Sequence, residues 1–159
     1  MNKNFVMNQI GVIHANEEGF YLKVKEEFRD ALIGIEDYKY INVMWWFSKS
    51  DNITDRNNLV EEKPYHKGPE KLGIFATRSP QRPNPIALSC SCITYVDREK
   101  GIVGLTYIDA NDNTPLLDIK PYIPSLDRVE EVTSPKWSKH WPENVESSGD
   151  FNWEEEFNF

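Results

Sequence analysis

Over its first 125 residues the chain alternates short apolar runs with clusters of turn-forming residues. Residues 9–14, QIGVIH, predict a first strand whose regularity Gly11 interrupts. Residues 15–19 are a turn, and FYLKV at 20–24 alternates as a half-buried strand does. From Lys25 to Leu32, Phe28, Ala31 and Leu32 fall at helical spacing and predict a turn or two of helix, ended by Gly34. A polar connection over 35–39 leads to YINVMWWF at 40–47. This is the strongest strand signal in the chain, apolar enough to be covered on both faces.

Residues 48–62 are polar and rich in Asn and Asp, so a long loop is expected there. Gly73 to Ala76 reads as the opening of another strand. IALSCSCITYV at 86–96 is a further strand, with Leu88, Cys90, Cys92 and Thr94 on one side. The turn DREKG at 97–101 returns the chain into IVGLTYI at 102–108. A polar turn, DANDNT at 109–114, then leads into PLLDIK and the rigid, extended segment Pro121–Pro124. Many short strands, turn signals about ten residues apart and little helical periodicity predict a mostly β fold: a small β-barrel with one or two short helices. The barrel domain is expected over 1–142 and an acidic, aromatic tail over 143–159.

One stretch departs from this rhythm. In GIFATRSPQRPNPIALS, residues 73–89, Pro80, Pro83 and Pro85 fall within six positions. Each proline fixes φ and removes a backbone donor, so neither helix nor central strand continues there. The residues before them are pushed toward extended conformations. A stiff bend carrying Arg78, Ser79, Arg82 and Asn84 results. Such a loop loses little entropy on gripping a ligand.

Composition narrows the function classes. The chain has 159 residues and is 39% hydrophobic and 13% aromatic, which suits one packed core and excludes a disordered chain. No apolar run approaches the roughly 20 residues that span a bilayer, and the N-terminus lacks a signal-peptide core, so no membrane role and a cytoplasmic location are expected. Cys90 and Cys92, two apart in a strand, read as reduced packing residues. His14, His66 and His140 show no metal-ligand spacing, and no metal is expected.

The net charge of −8 is uneven. Residues 143–159 carry six acids and no base, whereas residues 63–82 have a local excess of +4 from Lys63, Lys67, Lys71, Arg78 and Arg82 against Glu70. Such a patch suits phosphate or carboxylate even on an acidic protein. From Arg128 onward periodicity is lost, yet Trp137, Trp141, Phe151, Trp153, Phe157 and Phe159 are too many aromatics for a free tail. They are expected to pack on the body or on a second subunit.

Three polar clusters carry candidate chemistry: Arg78, Ser79, Arg82 and Asn84; Asp109, Asn111, Asp112, Asn113 and Thr114; and Asp118, Lys120 and Tyr122. Guanidiniums fork onto carboxylate or phosphate. Asp and Asn hold an ammonium or ribose hydroxyls. Turns of this kind gather at one end of a barrel and form a mouth.

GIFATRSPQRPNPIALS followed about 25 residues later by DNTPLLDIKPYIP closely resembles the TsaA/TrmO-like family. That family comprises S-adenosylmethionine-dependent methyltransferases acting on threonylcarbamoyladenosine at position 37 of tRNA. QIGVIH and the strand before the polar loop also fit, so the resemblance runs from about residue 8 to 127. It implies a small β-barrel, a homodimer and S-adenosylmethionine as donor, bound near the barrel end close to the dimer interface. Carried over by motif, Phe75, Ala76, Thr77, Arg78, Ser79 and Leu88 would contact the donor. Asp109, Ala110, Asn111, Asp112, Asn113 and Thr114 would form another wall.

Relatives carry His-Gln after the apolar strand; here Ser48 and Lys49 stand in that place. The family's DGTP is Asp112-Asn113-Thr114-Pro115, and Asn113 retains access to positive φ. Arg82 and Asn84 are candidate substrate contacts. Asp118, Lys120 and Tyr122 are candidates for orienting the acceptor or helping its proton leave. Three readings follow: a tRNA methyltransferase, the same donor chemistry on a small-molecule acceptor, and a non-catalytic S-adenosylmethionine-binding protein.

Overall fold

The computed structural model describes residues 5–158. Six strands close a barrel in the order β1-β2-β7-β6-β3-β8, every neighbouring pair antiparallel. They are β1 (Gly11–Asn16), β2 (Gly19–Val24), β3 (Tyr40–Trp46), β6 (Ile86–Asp97), β7 (Ile102–Leu105) and β8 (Thr114–Pro121). Closure leaves none of these strands with an open edge. A separate two-stranded sheet pairs β4 (Val60–Glu62) with β5 (Lys71–Gly73). The only α-helices among the described residues are single turns: α1 (Ile53–Arg56), α2 (Pro124–Asp127) and α3 (Val145–Ser148).

The mostly β barrel is as expected, and its core follows from the alternation. In β3, Ile41, Val43 and Trp45 are buried while Tyr40, Asn42, Met44 and Trp46 are half-buried, so neither face of that apolar run lies bare. Ile13, Leu22, Val24, Ala87, Val103, Leu105, Ile108 and Leu116 join Ile41, Val43 and Trp45 in the core, and Leu32 and Phe28 from the 3-10 helix at Glu26–Leu32 pack with it. Burying each large aliphatic side chain contributes roughly 1.5–3 kcal/mol. The Trp45 indole Nε1 donates to Ser89 Oγ at 3.0 Å, so the largest inward side chain brings no unpaired donor into the core. Gly11 lies where β1 pairs with both β2 and β8, and a Cβ there would collide with the Lys23 carbonyl. The glycine is a requirement of strand packing.

Several boundaries differ from the sequence expectation. Ile74–Ala76 is a 3-10 turn after β5. Thr77 turns the chain back by donating from both its amide and its hydroxyl to the Ile74 carbonyl. Residues 102–108 form a strand only as far as Leu105. Pro124 begins a helical turn, because the Asp127 carboxylate accepts from the Ile123 amide at 2.7 Å. The loop expected over 48–62 contains a 3-10 turn, α1 and β4.

By compactness the chain divides in two. Residues up to Lys49 together with Pro85–Asp127 form the barrel unit, and Ser50–Asn84 with the residues from Arg128 onward form the second. In the second unit Tyr65 stacks on Trp137 at 5.0 Å and meets Trp141 edge-on at 5.2 Å; Trp153 stacks on Phe157. Tyr65 and Phe157 also form a β-bridge. The aromatic tail is therefore packed on the chain's own Tyr65 segment. Phe159 lies outside the described residues.

Candidate functional site

The proline-rich bend is held by its own side chains. Arg82 turns its guanidinium inward: Nε donates to the Ser79 carbonyl at 2.6 Å, and Nη2 to the carbonyls of Thr77 at 2.8 Å and Ile74 at 3.4 Å. Arg56 anchors the far side, donating from Nη1 to the Pro83 carbonyl at 3.0 Å and from Nε to Asp51 at 2.6 Å. Ser79 Oγ donates to Glu61 Oε1 at 2.9 Å, and Asn58 donates to the same carboxylate oxygen. Prolines deprive a loop of donors; here arginine and serine side chains supply them instead. Arg82 thus serves the architecture of the loop.

What this brace presents outward is Phe75, 83% exposed on the 3-10 turn, with Ala76, Arg78 and Asn84 also exposed. Thr77 and Ser79 are half-buried and occupied within the loop. Burial raises the Tyr65 phenol, and the positive charge of Arg78 opposes that rise.

In the barrel unit the 109–114 turn is equally constrained. Asn113 adopts φ +62°, the left-handed conformation that asparagine tolerates in place of the family's glycine. Thr114 Oγ1 donates to the Asn111 carbonyl at 2.7 Å. Asp112 Oδ1 accepts from the Ala15 amide at 3.1 Å and the Asn16 amide group at 3.4 Å, and His14 Nδ1 lies 3.2 Å away. Its Oδ2 accepts from Asn113 Nδ2 at 2.8 Å. The Ala15 amide, then the His14 imidazole, hold the Asp112 carboxyl below its ordinary range. Lys49 Nζ donates to Asn111 Oδ1 at 3.1 Å, so the departure from His-Gln puts an ammonium beside this turn. Ser48 is exposed on the same 3-10 turn. Asp109 is exposed and Ala110 packs against the core.

Leu88 points outward from β6, about half-exposed, in one cross-strand row with Met44 and Asp118. Leu88 and Asp118 are thus two strand spacings apart, about 10 Å. Lys120 Nζ donates to Asp118 Oδ2 at 2.7 Å. At roughly 3.3 Å per residue, Asp118 lies about 13 Å along β8 from Thr114 and Tyr122 about 26 Å. Within one copy, the 109–114 turn and Tyr122 occupy opposite ends of that strand.

The basic patch does not survive as a free surface. Lys63 pairs with Glu70 at 3.0 Å, Lys67 with Glu156 at 3.2 Å and Lys71 with Glu62 at 2.8 Å, while Arg82 is turned into its loop. Sequence counting within the window saw only Glu70; Glu62 and Glu156 lie outside it. Among the described residues no cluster of three or more His, Cys, Asp or Glu is arranged to hold a metal. No helix among them is long and apolar enough to cross a membrane. The sequence marked His14 only as lacking metal-ligand spacing, and it did not single out Arg56 or Glu61. The contacts that matter to the site, His14 with Asp112, Arg56 with Pro83 and Glu61 with Ser79, each join segments at least 18 positions apart, which local sequence does not mark.

Comparison with known proteins places these features. A probable S-adenosyl-L-methionine-binding protein of Pyrococcus abyssi is 39% identical over 111 residues, covering 70% of this chain and 56% of that protein. One from Methanocaldococcus jannaschii is 38% identical over 124 residues, covering 77% and 96%. The human tRNA (adenine(37)-N6)-methyltransferase is 32% identical over 124 residues, 74% of this chain but 27% of the human protein. The chain therefore spans about half of the first relative, nearly all of the second and about a quarter of the third. The crystal structure of TrmO from Pseudomonas aeruginosa superposes with a TM-score of 0.63 at 26% identity, covering 82% of this chain and 62% of that one. The family model of the tRNA-methyltransferase O N-terminal domain matches residues 8–128, which include both the braced arginine loop and the 109–114 turn, and the chain belongs to this TrmO/TsaA-like family.

Proposed function

We propose that this protein is an S-adenosylmethionine-dependent methyltransferase whose acceptor is N6 of an adenosine in tRNA, threonylcarbamoyladenosine at position 37. The observation that carries the reading is the family match over 8–128, which takes in both constrained loops. The residues fit the donor. Exposed Phe75 offers a ring face to a purine, and Arg78 offers a guanidinium to a carboxylate. The 109–114 turn offers the exposed polar groups of Asp109 and Asn111, with Lys49 beside it. The donor supplies an electrophilic methyl group on a sulfonium. The protein's part is positioning, which contributes most when loops are already rigid.

In this reading Ser48, Lys49, Phe75–Ser79, Leu88 and Asp109–Thr114 form the donor-binding set, Asn84 is the acceptor contact on the loop that Arg82 braces from within, and Asp118, Lys120 and Tyr122 are the acceptor-orienting group. A homodimer belongs to the same reading. The outward residues Leu88, Met44, Trp46, Cys90 and Cys92 supply an apolar face suited to a second copy. A second copy also supports a role for Tyr122, which lies far along β8 from the turn. The protein acts in the cytoplasm.

A second reading, transfer to a small-molecule acceptor, draws support from the internal pairing of Lys63, Lys67 and Lys71, because phosphate contact supplies much of nucleic-acid affinity. The test is mass spectrometry of tRNA nucleosides from cells with and without the gene. Loss of the N6-methylated nucleoside in the deletion supports the tRNA reading. An unchanged profile, with donor turnover on a metabolite extract, replaces it by the second. Donor binding without turnover on either leaves a binding protein.

A further inference from the structure

We propose that His14 is the general base of this enzyme, its imidazole Nε2 accepting the proton that the acceptor nitrogen loses on methylation. The inference rests on the methyltransferase reading and adds a residue that the motif resemblance did not supply. His14 lies on β1 and reaches across to the donor-side turn, where Nδ1 is 3.2 Å from Asp112 Oδ1. The Ala15 amide, three side-chain groups and the local charges leave that carboxyl ionised, held below its ordinary range chiefly by the Ala15 hydrogen bond. An ionised carboxylate only accepts, so the hydrogen between the two groups resides on Nδ1. The neutral ring then carries its lone pair on Nε2. Among the described residues no hydrogen bond reaches Nε2.

The ring is also fixed in plane. It stacks on Tyr21 with centroids 4.8 Å apart at 26°, and the Tyr21 hydroxyl donates to Glu18 Oε2 at 3.3 Å. The imidazole is 23% exposed, enough to be reached and little enough to be oriented. The carboxylate sets the tautomer, as a hydrogen bond to one ring nitrogen does, and the stacked ring limits the direction in which Nε2 can point. The titratable and charged groups around it are Asp112 at Nδ1, Tyr21 on its face, Glu18 behind Tyr21, and Lys49 on Asn111 of the same turn.

The step balances. The acceptor nitrogen's lone pair forms the bond to the methyl carbon, and the carbon–sulfur bond breaks with its pair remaining on sulfur. The nitrogen's proton passes to Nε2, and the imidazolium later releases it to water. The by-product is the neutral thioether.

The experiment compares wild type, His14→Ala and His14→Gln as full-length chains. Donor affinity is read by calorimetry, and methyl transfer with radiolabelled donor and unfractionated tRNA from gene-deleted cells. Expected results are donor affinity within twofold of wild type, kcat reduced about 100-fold or more, partial rescue of His14→Ala by added imidazole, and a titrating limb in the wild-type pH profile that both variants lack. Nitrogen NMR of the free protein should show the Nδ1–H tautomer of His14, lost in Asp112→Asn. Wild-type kcat in the variants, donor affinity falling in step with rate, or the opposite tautomer each overturns the base. Wild-type protein that binds donor yet transfers no methyl group to tRNA or to a metabolite extract overturns the methyltransferase reading, and the base with it.

Discussion

Arg82→Ala tests whether the proline loop is built by its arginine. Two strong bonds are lost, to the carbonyls of Ser79 at 2.6 Å and Thr77 at 2.8 Å, and a third, to Ile74, is long at 3.4 Å. The Ile74 carbonyl keeps the Thr77 amide and hydroxyl as donors, so it is not orphaned. Hydrogen bonds from a charged donor contribute roughly 1.5 kcal/mol each at the lower end. Residues 77, 79 and 82 are half-buried, so water replaces part of the loss. The net is about 2 kcal/mol against the ordered loop, roughly a 30-fold rise in local opening. Amide hydrogen exchange reads this directly at Thr77, whose amide bonds to Ile74, and at Ile74, whose amide bonds to Leu59. Arg82→Lys should recover less than half, since an ammonium lacks the planar fork. Unchanged exchange at both amides in Arg82→Ala would refute the bracing argument.

Arg78→Ala should lower S-adenosylmethionine affinity at least tenfold by calorimetry, about 1.4 kcal/mol, while leaving Thr77 exchange as in wild type. Asn113→Val should destabilise the barrel by about 1–2 kcal/mol in denaturant unfolding, since a branched residue resists φ +62°, whereas Asn113→Gly should be tolerated. Glu156 accepts from Trp141 Nε1, His140 Nε2 and Lys67 Nζ; these bonds, Trp141 first, lower its carboxyl from the ordinary 4.5 to about 2. Its folded value lies below its unfolded one, so its contribution is complete above about 4.5 and is lost as pH falls toward about 2. Acid titration of tryptophan fluorescence should show this loss in wild type and not in Glu156→Gln.

The barrel was readable because its inner face is written as alternation. Ile41, Val43 and Trp45 repeat at period two, and the turns between strands carry Gly, Asn and Asp. What alternation cannot express is a change of phase. The register of β6 against β7 shifts between Ile93 and Tyr95, so Thr94 and Tyr95 are both exposed and Val96 returns to the core. The 3-10 turn at Ile74–Ala76 was hidden for another reason. Its apolar letters are those of a strand, and the turn is selected by the Thr77 and Arg82 bonds to the Ile74 carbonyl. Those partners follow the segment in sequence and act only once the loop has closed.

The two arginines of the motif show why residue type identifies a site before it identifies a role. Both lie in one bend, both are suited to anions, and they differ by four positions. Arg82 is half-buried with two nitrogens committed to loop carbonyls; Arg78 is exposed beside Phe75 on the surface that the first arginine shapes. The same separation explains the charge patch. Lys63, Lys67 and Lys71 count as +3 in the sequence, yet each meets a carboxylate within 3.2 Å, two of them from outside the basic window. Their long-range attraction for phosphate is correspondingly reduced. If tRNA is the acceptor, the salt dependence of binding should therefore owe little to these three lysines. Lys63→Gln, Lys67→Gln and Lys71→Gln should each leave the slope of log affinity against log salt nearly unchanged, and a slope that becomes shallower by about one in any of them would refute the pairing argument.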